Sequence, residues 1–372
     1  MSSLAHSSDV TMSEDVTMSE IAPLGRGVGP RAVAGRPTLM SVSVVICAYT
    51  MDRWDALAAA VRSCFDQTHK PSDVIVVIDY NEDLLQRATH EFSGAVVVAN
   101  RFEKGLSAAR NTGIAAARGD VIAFLDDDAF AEPEWLEQLI VPLSDPLVAG
   151  VGGWVVPHWE VELAPWLPET FYWIIGCSFR GLPANNASVR NPIGANMAMR
   201  REVFTSVGGF TSGIGRIGQV PLGCEETELC IRYAGENPAE RFVLARDAIV
   251  HHRVPASRLT WHYFWTRCWA EGLSKAAVSS LVGSQSGLSA ERRHIMRSLP
   301  RELGRSLLSL PRHPRSASAR TVLILAGTAL ALAGLLRGRW ALRRMPIVQD
   351  RSALEISPVQ AEENAGPCSV AI

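Results

Sequence analysis

The residues best suited to chemistry are three consecutive aspartates, Asp126, Asp127 and Asp128, which follow the apolar run Val121–Leu125. Adjacent carboxylates repel one another, and an ionised carboxylate that leaves water without a partner costs several kcal/mol. Mg²⁺ and Mn²⁺ prefer carboxylate oxygens and bridge them to phosphates. The alternative is a solvated acidic turn, which a lone Asp-Asp pair often forms. A triplet placed directly after a buried strand favours a divalent metal.

Two further pairs of residues could act with the triplet. Glu225 and Glu226 stand at the start of a predicted helix, and a positioned carboxylate is a natural general base. His251 and His252 follow a short apolar run, and histidine is a common metal ligand. Each pair also has an ordinary explanation. Acidic residues are favoured at helix N-termini by the helix dipole, and histidines near strand ends are usually structural.

The first half of the chain predicts a scaffold that would bring these residues together. Apolar, β-branched runs typical of strands buried on both faces alternate with helical segments. The predicted strands are 41–49, 74–78, 95–99 and 121–125, and the predicted helices are 55–67, 82–92 and 105–118. This alternation predicts an α/β fold with a Rossmann-like, mostly parallel sheet and helices on both faces. Ligands bind such sheets at the carboxyl ends of the strands, where Tyr49, Asp79 and the triplet all fall.

The second half is less regular and contains one uncharged apolar segment. A strand is predicted over 148–156, and helices are predicted over 201–207, 227–233 and 259–282. The segment Thr321–Leu336 is sixteen residues long, against the roughly 20 needed to span a bilayer. Arginines flank it on both sides and Trp340 follows it, which fits a membrane-associated helix. The alternative is the core helix of a soluble protein.

Composition narrows the function classes and the domain plan. The net charge of −2 gives no support for nucleic-acid binding. Seven cysteines without a CxxC pair argue against a zinc ribbon or a disulfide framework and fit a reducing compartment. The polar repeat DVTMSE and the Gly/Pro/Arg stretch after it predict a disordered extension. We expect disordered ends at 1–39 and 346–372, a catalytic domain over 40–255, a helical region over 256–310 and a basic-flanked membrane helix over 311–345.

Five motifs occur in the order expected of one family: VSVVICAY, VIVVID, KGLSAARNTGIAAARGDVIAFLDDD, IGANMAMRREVFTSVGGF and GCEETELCIR. Between about Ser41 and His252 the chain therefore resembles glycosyltransferase family 2. The resemblance implies the GT-A fold, inverting transfer from a nucleoside-diphosphate sugar, and Mn²⁺ or Mg²⁺ as cofactor. A UDP-sugar is the expected donor. The stretches CEETELCIR and AEGLSKA resemble actinobacterial-type members, which implies a lipid-linked or envelope-glycan acceptor and a place at the cytoplasmic face of a membrane.

The resemblance also implies roles for individual residues. Asp79 matches the aspartate that binds the nucleobase, although the usual Asp-Asp-Gly-Ser pattern here reads Ile78-Asp79-Tyr80-Asn81. The expected contacts of the nucleotide-sugar are Tyr49, Asp79, Gly105, Arg110, Asn111, Asp126 and Asp127. The expected metal ligands are Asp126, Asp128 and His252, with His252 favoured over His251.

The same resemblance places the acceptor chemistry later in the chain. Glu226 aligns with the second residue of the family's Glu-Asp motif and is the candidate base. Because the usual aspartate is a glutamate here, Glu225 is the second choice. Asn196 and Trp154 are expected on the acceptor and sugar side of the site.

Two other functions are compatible with parts of this pattern. A nucleotidyltransferase shares the sheet and the metal–diphosphate chemistry, but it normally carries a glycine-rich loop with a basic residue after the first strand, where this chain reads CAYTMDRW. A non-catalytic, membrane-associated sugar-nucleotide-binding protein would not need both the aspartates and a candidate base.

Overall fold

The strands form one mixed sheet in a computed structural model that describes residues 40–162, 166–212 and 223–343. Nine strands lie in these residues: β1 (Val42–Ala48), β2 (Asp73–Ile78), β3 (Val96–Ala99), β4 (Val121–Asp126), β5 (Ala129–Ala131), β6 (Val148–Trp159), β7 (Ser188–Val189), β8 (Asn196–Arg200) and β9 (Arg241–Val254). Their order across the sheet is β3-β2-β1-β4-β8-β6-β9-β5, and β7 pairs with β9.

The helices fall into a set around the sheet and a set at the C-terminal end. The first set is α1 (Trp54–Phe65), α2 (Glu82–Glu91), α3 (Leu106–Ala116), α4 (Trp135–Ile140), α5 (Arg201–Val207) and α6 (Glu225–Glu236). The second set is α7 (Trp261–Val282), α8 (Ser284–Gly287), α9 (Ser289–Arg293), α10 (Leu299–Ser309) and α11 (Pro314–Leu342).

The half of the sheet formed by β3, β2, β1 and β4 is parallel, as predicted. The valines and isoleucines of β1, β2 and β4 are buried between helices, which explains why these runs are continuously apolar. The edge strand β3 is only partly buried, and Val96 is exposed. Cys47 of β1 pairs with Asp126 of β4, and Ala48 pairs with Ile78 of β2. The carboxyl ends of three strands therefore meet at one edge, where the aspartates stand. Beyond β4 the sheet is mixed, because β8 runs antiparallel to both β4 and β6.

Strand β9 carries a distant part of the chain to the aspartate triplet. It pairs with the short strand β5, which opposes Ala129 to His252. The backbone N–H of Arg253 donates to the carbonyl oxygen of Asp128 at 2.9 Å. This pairing fixes His252 beside the end of β4, although the two positions are more than a hundred residues apart.

The C-terminal helices share a core with the sheet. Val155 of β6, Phe264 of α7 and Leu323 of α11 belong to one buried cluster, so α7 and α11 pack on the body that contains the triplet. The structure describes one compact unit from Met40 onward. Within the described ranges, α11 is the one helix long and apolar enough to cross a membrane. It lies within the predicted helical segment 311–345 and extends beyond the uncharged run Thr321–Leu336 in both directions. The ends predicted to be disordered, 1–39 and 346–372, lie outside the described residues.

Helices α7 and α11 approach each other closely because glycines stand at the contact. A Cβ at Gly272 would lie 2.1 Å from the carbonyl oxygen of Ala331, and one at Gly334 would lie 2.4 Å from that of Trp269. Real Cβ atoms do not approach backbone oxygens this closely, so any side chain here would push the helices apart.

We therefore expect Gly272→Ala to destabilise the protein by about 1–3 kcal/mol, the usual cost of overpacking. The matched control is Gly304→Ala in α10, where an added Cβ meets nothing within 4 Å. Alanine is the better helix former at both positions, so the control should be neutral or slightly stabilising. Urea unfolding of the two variants measures the difference. Equal stabilities would show that α7 and α11 are not in close contact.

Candidate active site

A cavity of about 640 Å³ opens at the carboxyl edge of β1, β2 and β4. The candidate residues that line it are Tyr49, Asp79, Arg110, Asp126, Asp127, Asp128, Glu225, Glu226 and His252. Asp126 ends β4 and is partly exposed, whereas Asp127 and Asp128 are buried. The topology therefore brings the nucleotide-side, metal and base candidates into one space.

Asp126, Asp128 and His252 form a group that could hold a divalent cation. One ligand atom from each lies within 4.8 Å of the others. His252 Nε2 is 3.1 Å from Asp128 Oδ1. Carboxylate oxygens suit Mg²⁺ and Mn²⁺, and an imidazole nitrogen is tolerated by Mn²⁺ and other borderline ions. The donor set thus fits the divalent metal that the sequence predicts.

Two arginines from separate parts of the chain already contact Asp127 and Asp128. Arg53 Nη1 lies 2.7 Å from Asp127 Oδ1 and 3.2 Å from Asp128 Oδ2. Arg258 Nη2 lies 3.0 Å from Asp128 Oδ2, and its Nη1 is 3.2 Å from His252 Nε2. His252 Nε2 therefore lies between a guanidinium donor and a carboxylate acceptor, and the tautomer of the imidazole decides which of the two it bonds. The lone-pair form of imidazole is the one that ligates metals.

The charges of the site do not balance. Four carboxylates face three guanidinium groups: Asp126, Asp127, Asp128 and Glu225 against Arg53, Arg110 and Arg258. Burial and repulsion from Asp128 raise the pKa of Asp127 to about 7, although Arg53 opposes the shift. Burial would also raise the pKa of Asp128, but His252, Arg258 and Arg53 outweigh it and hold that pKa well below its usual range. Asp127 Oδ2 is buried without a hydrogen-bond partner. The site therefore has room for one more positive charge.

Glu225 and Glu226, the two base candidates, have different surroundings. Glu225 is buried, and its Oε1 accepts from Arg110 Nη1 at 2.6 Å. Arg110 also donates to the carbonyl oxygen of Gly194 at 3.1 Å. Glu226 is partly accessible from the cavity, and burial together with the charge of Glu225 raises its pKa to about 7. A carboxylate whose pKa lies near neutrality is suited to accept a proton in the reaction.

The backbone is strained on two sides of the cavity. Cys224, directly before Glu225, has φ 77°, and Tyr80, directly after Asp79, has φ 52°. Non-glycine residues rarely adopt this left-handed conformation, and such residues cluster at functional sites. Gly176 also has a positive φ, and a Cβ there would lie 3.3 Å from the ring of His252. These turns set the directions in which the neighbouring carboxylates and the imidazole point.

The nucleotide side of the cavity is formed by Tyr49 and Asp79. The guanidinium of Arg53 lies 5.6 Å from the centre of the Tyr49 ring. Asp79 Oδ1 accepts from Asn100 Nδ2 at 2.7 Å, and Asp79 Oδ2 accepts from the backbone N–H of Gly105 at 3.0 Å. Gly105 has φ 139° at the start of α3 and does not itself line the cavity. Its role in the structure is to hold the carboxylate of Asp79 in place.

Besides Gly105, three residues expected to contact ligands do not line the cavity. Asn111 donates to the carbonyl oxygen of Phe210 and accepts from the N–H of Phe210, both at 2.8 Å. Asn196 is fully buried, and its amide accepts from Trp135 Nε1 and donates to the carbonyl oxygen of Ala248. Trp154 lies against the guanidinium of Arg246 at 4.4 Å. In the structure these side chains hold loops and strands together.

Sequence reasoning missed the arginines Arg53 and Arg258. Arg53 lies in the loop after β1, at the ligand edge of a parallel sheet, and that position was an available signal. Arg258 lies in a single turn after β9, and nothing in the local pattern marks it.

Sequence reasoning also missed a group of ion pairs that lines the cavity. Lys275 Nζ lies 3.2 Å from Glu271 Oε1 and 2.9 Å from Glu291 Oε1. Arg190 Nη1 lies 2.7 Å from Glu291 Oε2. These pairs connect α7 and α9 to the loop after β7.

The raised pKa of Glu226 makes its effect on stability pH-dependent. A folded pKa of about 7, against the usual 4.5, means that the folded state holds a proton that the unfolded state has lost. The charge therefore destabilises the wild type progressively as the pH rises through this window. We expect the free energy of unfolding of Glu226→Gln, relative to that of the wild type, to be higher at about pH 8 than at about pH 5 by on the order of 1–2 kcal/mol. Denaturant unfolding at both pH values measures the gain, and Glu236→Gln, an exposed change on the same helix, is the control. A pH-independent difference would place Glu226 in a solvated environment.

The family model and two relatives that match this chain are all glycosyltransferases. A family model described as glycosyl transferase family 2 matches residues 43–208. The glucosyl-dolichyl phosphate glucuronosyltransferase of Haloferax volcanii is 35% identical over 246 residues, which are 65% of this chain and 78% of that protein. The pre-mycofactocin glycosyltransferase of Mycobacterium tuberculosis is 34% identical over 115 residues, or 31% of this chain and 24% of that protein.

A solved structure shows the same fold. The mannosyltransferase PcManGT from Pyrobaculum calidifontis, in complex with GDP-Man and Mn²⁺, superposes with a TM-score of 0.50 at 17% identity, covering 82% of this chain and 90% of that one. The predicted α/β, GT-A architecture is confirmed. The chain belongs to glycosyltransferase family 2 and is a glycosyltransferase.

Proposed function

We propose that the chain transfers a sugar, with inversion at the anomeric carbon, from a nucleoside-diphosphate sugar to a lipid-linked acceptor, and that the reaction depends on a divalent cation. The observation that carries the proposal is that the metal group Asp126, Asp128 and His252 lines the same cavity as the candidate base Glu226. A donor diphosphate at the metal group and an acceptor at Glu226 would therefore lie in the same cavity.

The donor would lie across the edge of the parallel half of the sheet. Tyr49 and Asp79 are placed for the nucleoside, with a UDP-sugar as our expected donor, and Asp126 faces the diphosphate. Mn²⁺ or Mg²⁺, when bound by Asp126, Asp128 and His252, would supply positive charge to the departing diphosphate. The guanidinium groups of Arg53 and Arg110 would add positive charge beside the diphosphate, because both already contact the aspartates.

The acceptor would be activated by Glu226. Its carboxylate takes the proton of the acceptor O–H while that oxygen forms the new bond to the anomeric carbon. The bond from that carbon to the diphosphate oxygen breaks on the opposite face, which inverts the configuration. Glu225 is less suited to this role, because its Oε1 is bonded to Arg110. In our proposal Glu225 holds Arg110 beside Asp126.

A lipid-linked acceptor is supported by two independent features. The relative from Haloferax volcanii is named for a glucosyl-dolichyl phosphate substrate. In this chain, α11 is long and apolar enough to cross a membrane, and several of its residues line the cavity. We propose that the protein associates with a membrane through this helix. The six described cysteines are free, which is compatible with the cytoplasmic face.

We expect Glu226→Gln to lower kcat by about 10²–10⁴-fold, because a positioned general base contributes that much. Binding of the donor should be retained, since the amide keeps the shape of the side chain. Transfer is measured with a radiolabelled sugar nucleotide, and donor binding is measured by calorimetry. Glu236→Gln is again the matched control. Transfer at the wild-type rate in Glu226→Gln would move the base to another residue, with Glu225→Gln as the next variant to assay.

The metal site is tested by thermal stabilisation with UDP-, GDP- and dTDP-sugars in the presence and absence of Mn²⁺. We expect the correct donor with Mn²⁺ to raise the Tm of the wild type by about 3–6 °C. Asp128→Asn should lose the metal-dependent part of this shift, measured from its own baseline. Asp247→Asn, an exposed change away from the cavity, is the control. An undiminished metal-dependent shift in Asp128→Asn would remove Asp128 from the metal site.

A further inference from the structure

Helix α11 presents three different faces. Gly334 and Gly338 lie against α7, where an added Cβ would meet the backbone at Trp269 or the side chain of Ala276. A second set of residues lines the active-site cavity: Gly327, Thr328, Ala331, Leu332 and Leu335. A third set, spaced as one helical stripe, is exposed on the outside: Val322, Leu325, Leu332, Leu336 and Trp340.

Leu332 belongs to both the cavity lining and the outer stripe. It lines the cavity and is nevertheless 54% exposed. The cavity therefore reaches the outer apolar face of α11 at this residue, because one side chain contributes to both surfaces.

The residues that α11 contributes to the cavity lining are small or apolar apart from Thr328, in contrast to the charged residues of the triplet. Further hydrophobic lining comes from the segment before β7 and from residues at and before the start of α10: Phe171, Ile174, Ile175, Ile295 and Leu299. Glu226 and the ion pairs of Lys275 with Glu271 and Glu291 line the same cavity. The apolar segment also reaches the metal group, because the carbonyl oxygen of Ile175 lies 3.5 Å from Arg258 Nη1. A ligand that occupied the whole cavity would have a polar end at Glu226 and an apolar end at α11.

The surface around the opening matches the interface of a membrane. Exposed Leu307 and Leu308 of α10 add apolar area near the start of α11. Arginines stand at both ends of α11: Arg312, Arg315 and Arg320 at one end, and Arg337, Arg339 and Arg343 at the other. Cations that flank an apolar helix face favour contact with anionic lipid headgroups. A lipid is therefore the occupant whose two parts match both the opening and the cavity behind it.

We propose that α11 is a wall of the acceptor site, and that the hydrocarbon chain of the acceptor lies against Ala331 and Leu335 and leaves the cavity beside Leu332. This inference rests on the proposed function. It assigns to α11 a direct role in binding the acceptor, in addition to contact with the membrane.

The test compares Leu332→Asp with Leu325→Asp in the full-length protein. Both residues are exposed leucines of α11, at 54% and 57%, and only Leu332 lines the cavity. Each variant loses the same apolar area and gains the same charge, so any effect through membrane contact is shared. The acceptors are a glycosylated polyprenyl phosphate with a long chain and the same headgroup on a short, water-soluble isoprenoid chain. We expect the ratio of long-chain to short-chain kcat/KM to fall about tenfold in Leu332→Asp and to stay at the wild-type value in Leu325→Asp.

Other results would overturn the inference. Equal ratios of long-chain to short-chain kcat/KM in the two variants would show that α11 contacts only the membrane. A change in oligomeric state, measured by sedimentation and confined to Leu332→Asp, would show that this face is an interface between protein chains. If the wild type uses neither acceptor, the proposed function fails. The inference is then decided separately, by quenching of tryptophan fluorescence with long-chain polyprenyl phosphate, which must bind the wild type more tightly than Leu332→Asp.

Discussion

The active site depends on an excess of negative charge at the end of β4. The parallel sheet puts Asp126, Asp127 and Asp128 where a buried strand meets the cavity, and Glu225 lies close by. Arg53, Arg110 and Arg258 offset most of this charge without matching it. Buried charge is tolerated only when it is paired, so the rest of the site is arranged around this requirement. A divalent cation between Asp126, Asp128 and His252 would more than offset the remaining negative charge, and it would supply positive charge to a bound diphosphate.

The same requirement explains why distant segments converge on the triplet. Arg53 comes from the loop after β1, Arg110 from α3, and Arg258 from the turn after β9. Strand β9 pairs with β6 along its length and with β5 at Val250–His252, and this second pairing places His252 beside Asp128. The turn after β9 then leads directly into α7, on which α11 packs. The apolar wall of the cavity is thus connected in sequence to the metal side of the site.

Much of this could be predicted from the sequence, because the decisive signals are local. Each of these signals is contained in a short stretch of sequence. Examples are the junction of a strand with the aspartates, Glu226 at the start of a helix, and each strand-to-helix step of the first half. Signals that depend on tertiary packing could not be read in this way. Asn111 and Asn196 have residue types suited to ligand contact, but the fold uses their amides to satisfy backbone groups of Phe210 and Ala248. Arg258 acquires its role only when β9 pairs with β5. Helix α11 lies within the segment 311–345 that the sequence predicts as a helix, and it continues through the arginines on both sides of the uncharged run.

The metal group is tested most directly by anomalous diffraction at the manganese edge, from crystals grown with Mn²⁺ and a nucleoside diphosphate. The structure predicts one strong peak at coordinating distance from Asp126, Asp128 and His252, and also predicts that Arg258 moves away from Asp128 Oδ2. A peak at another position, or density that shows Arg53 and Arg258 still bound to Asp128 with no ion between the three ligands, would contradict the proposed site.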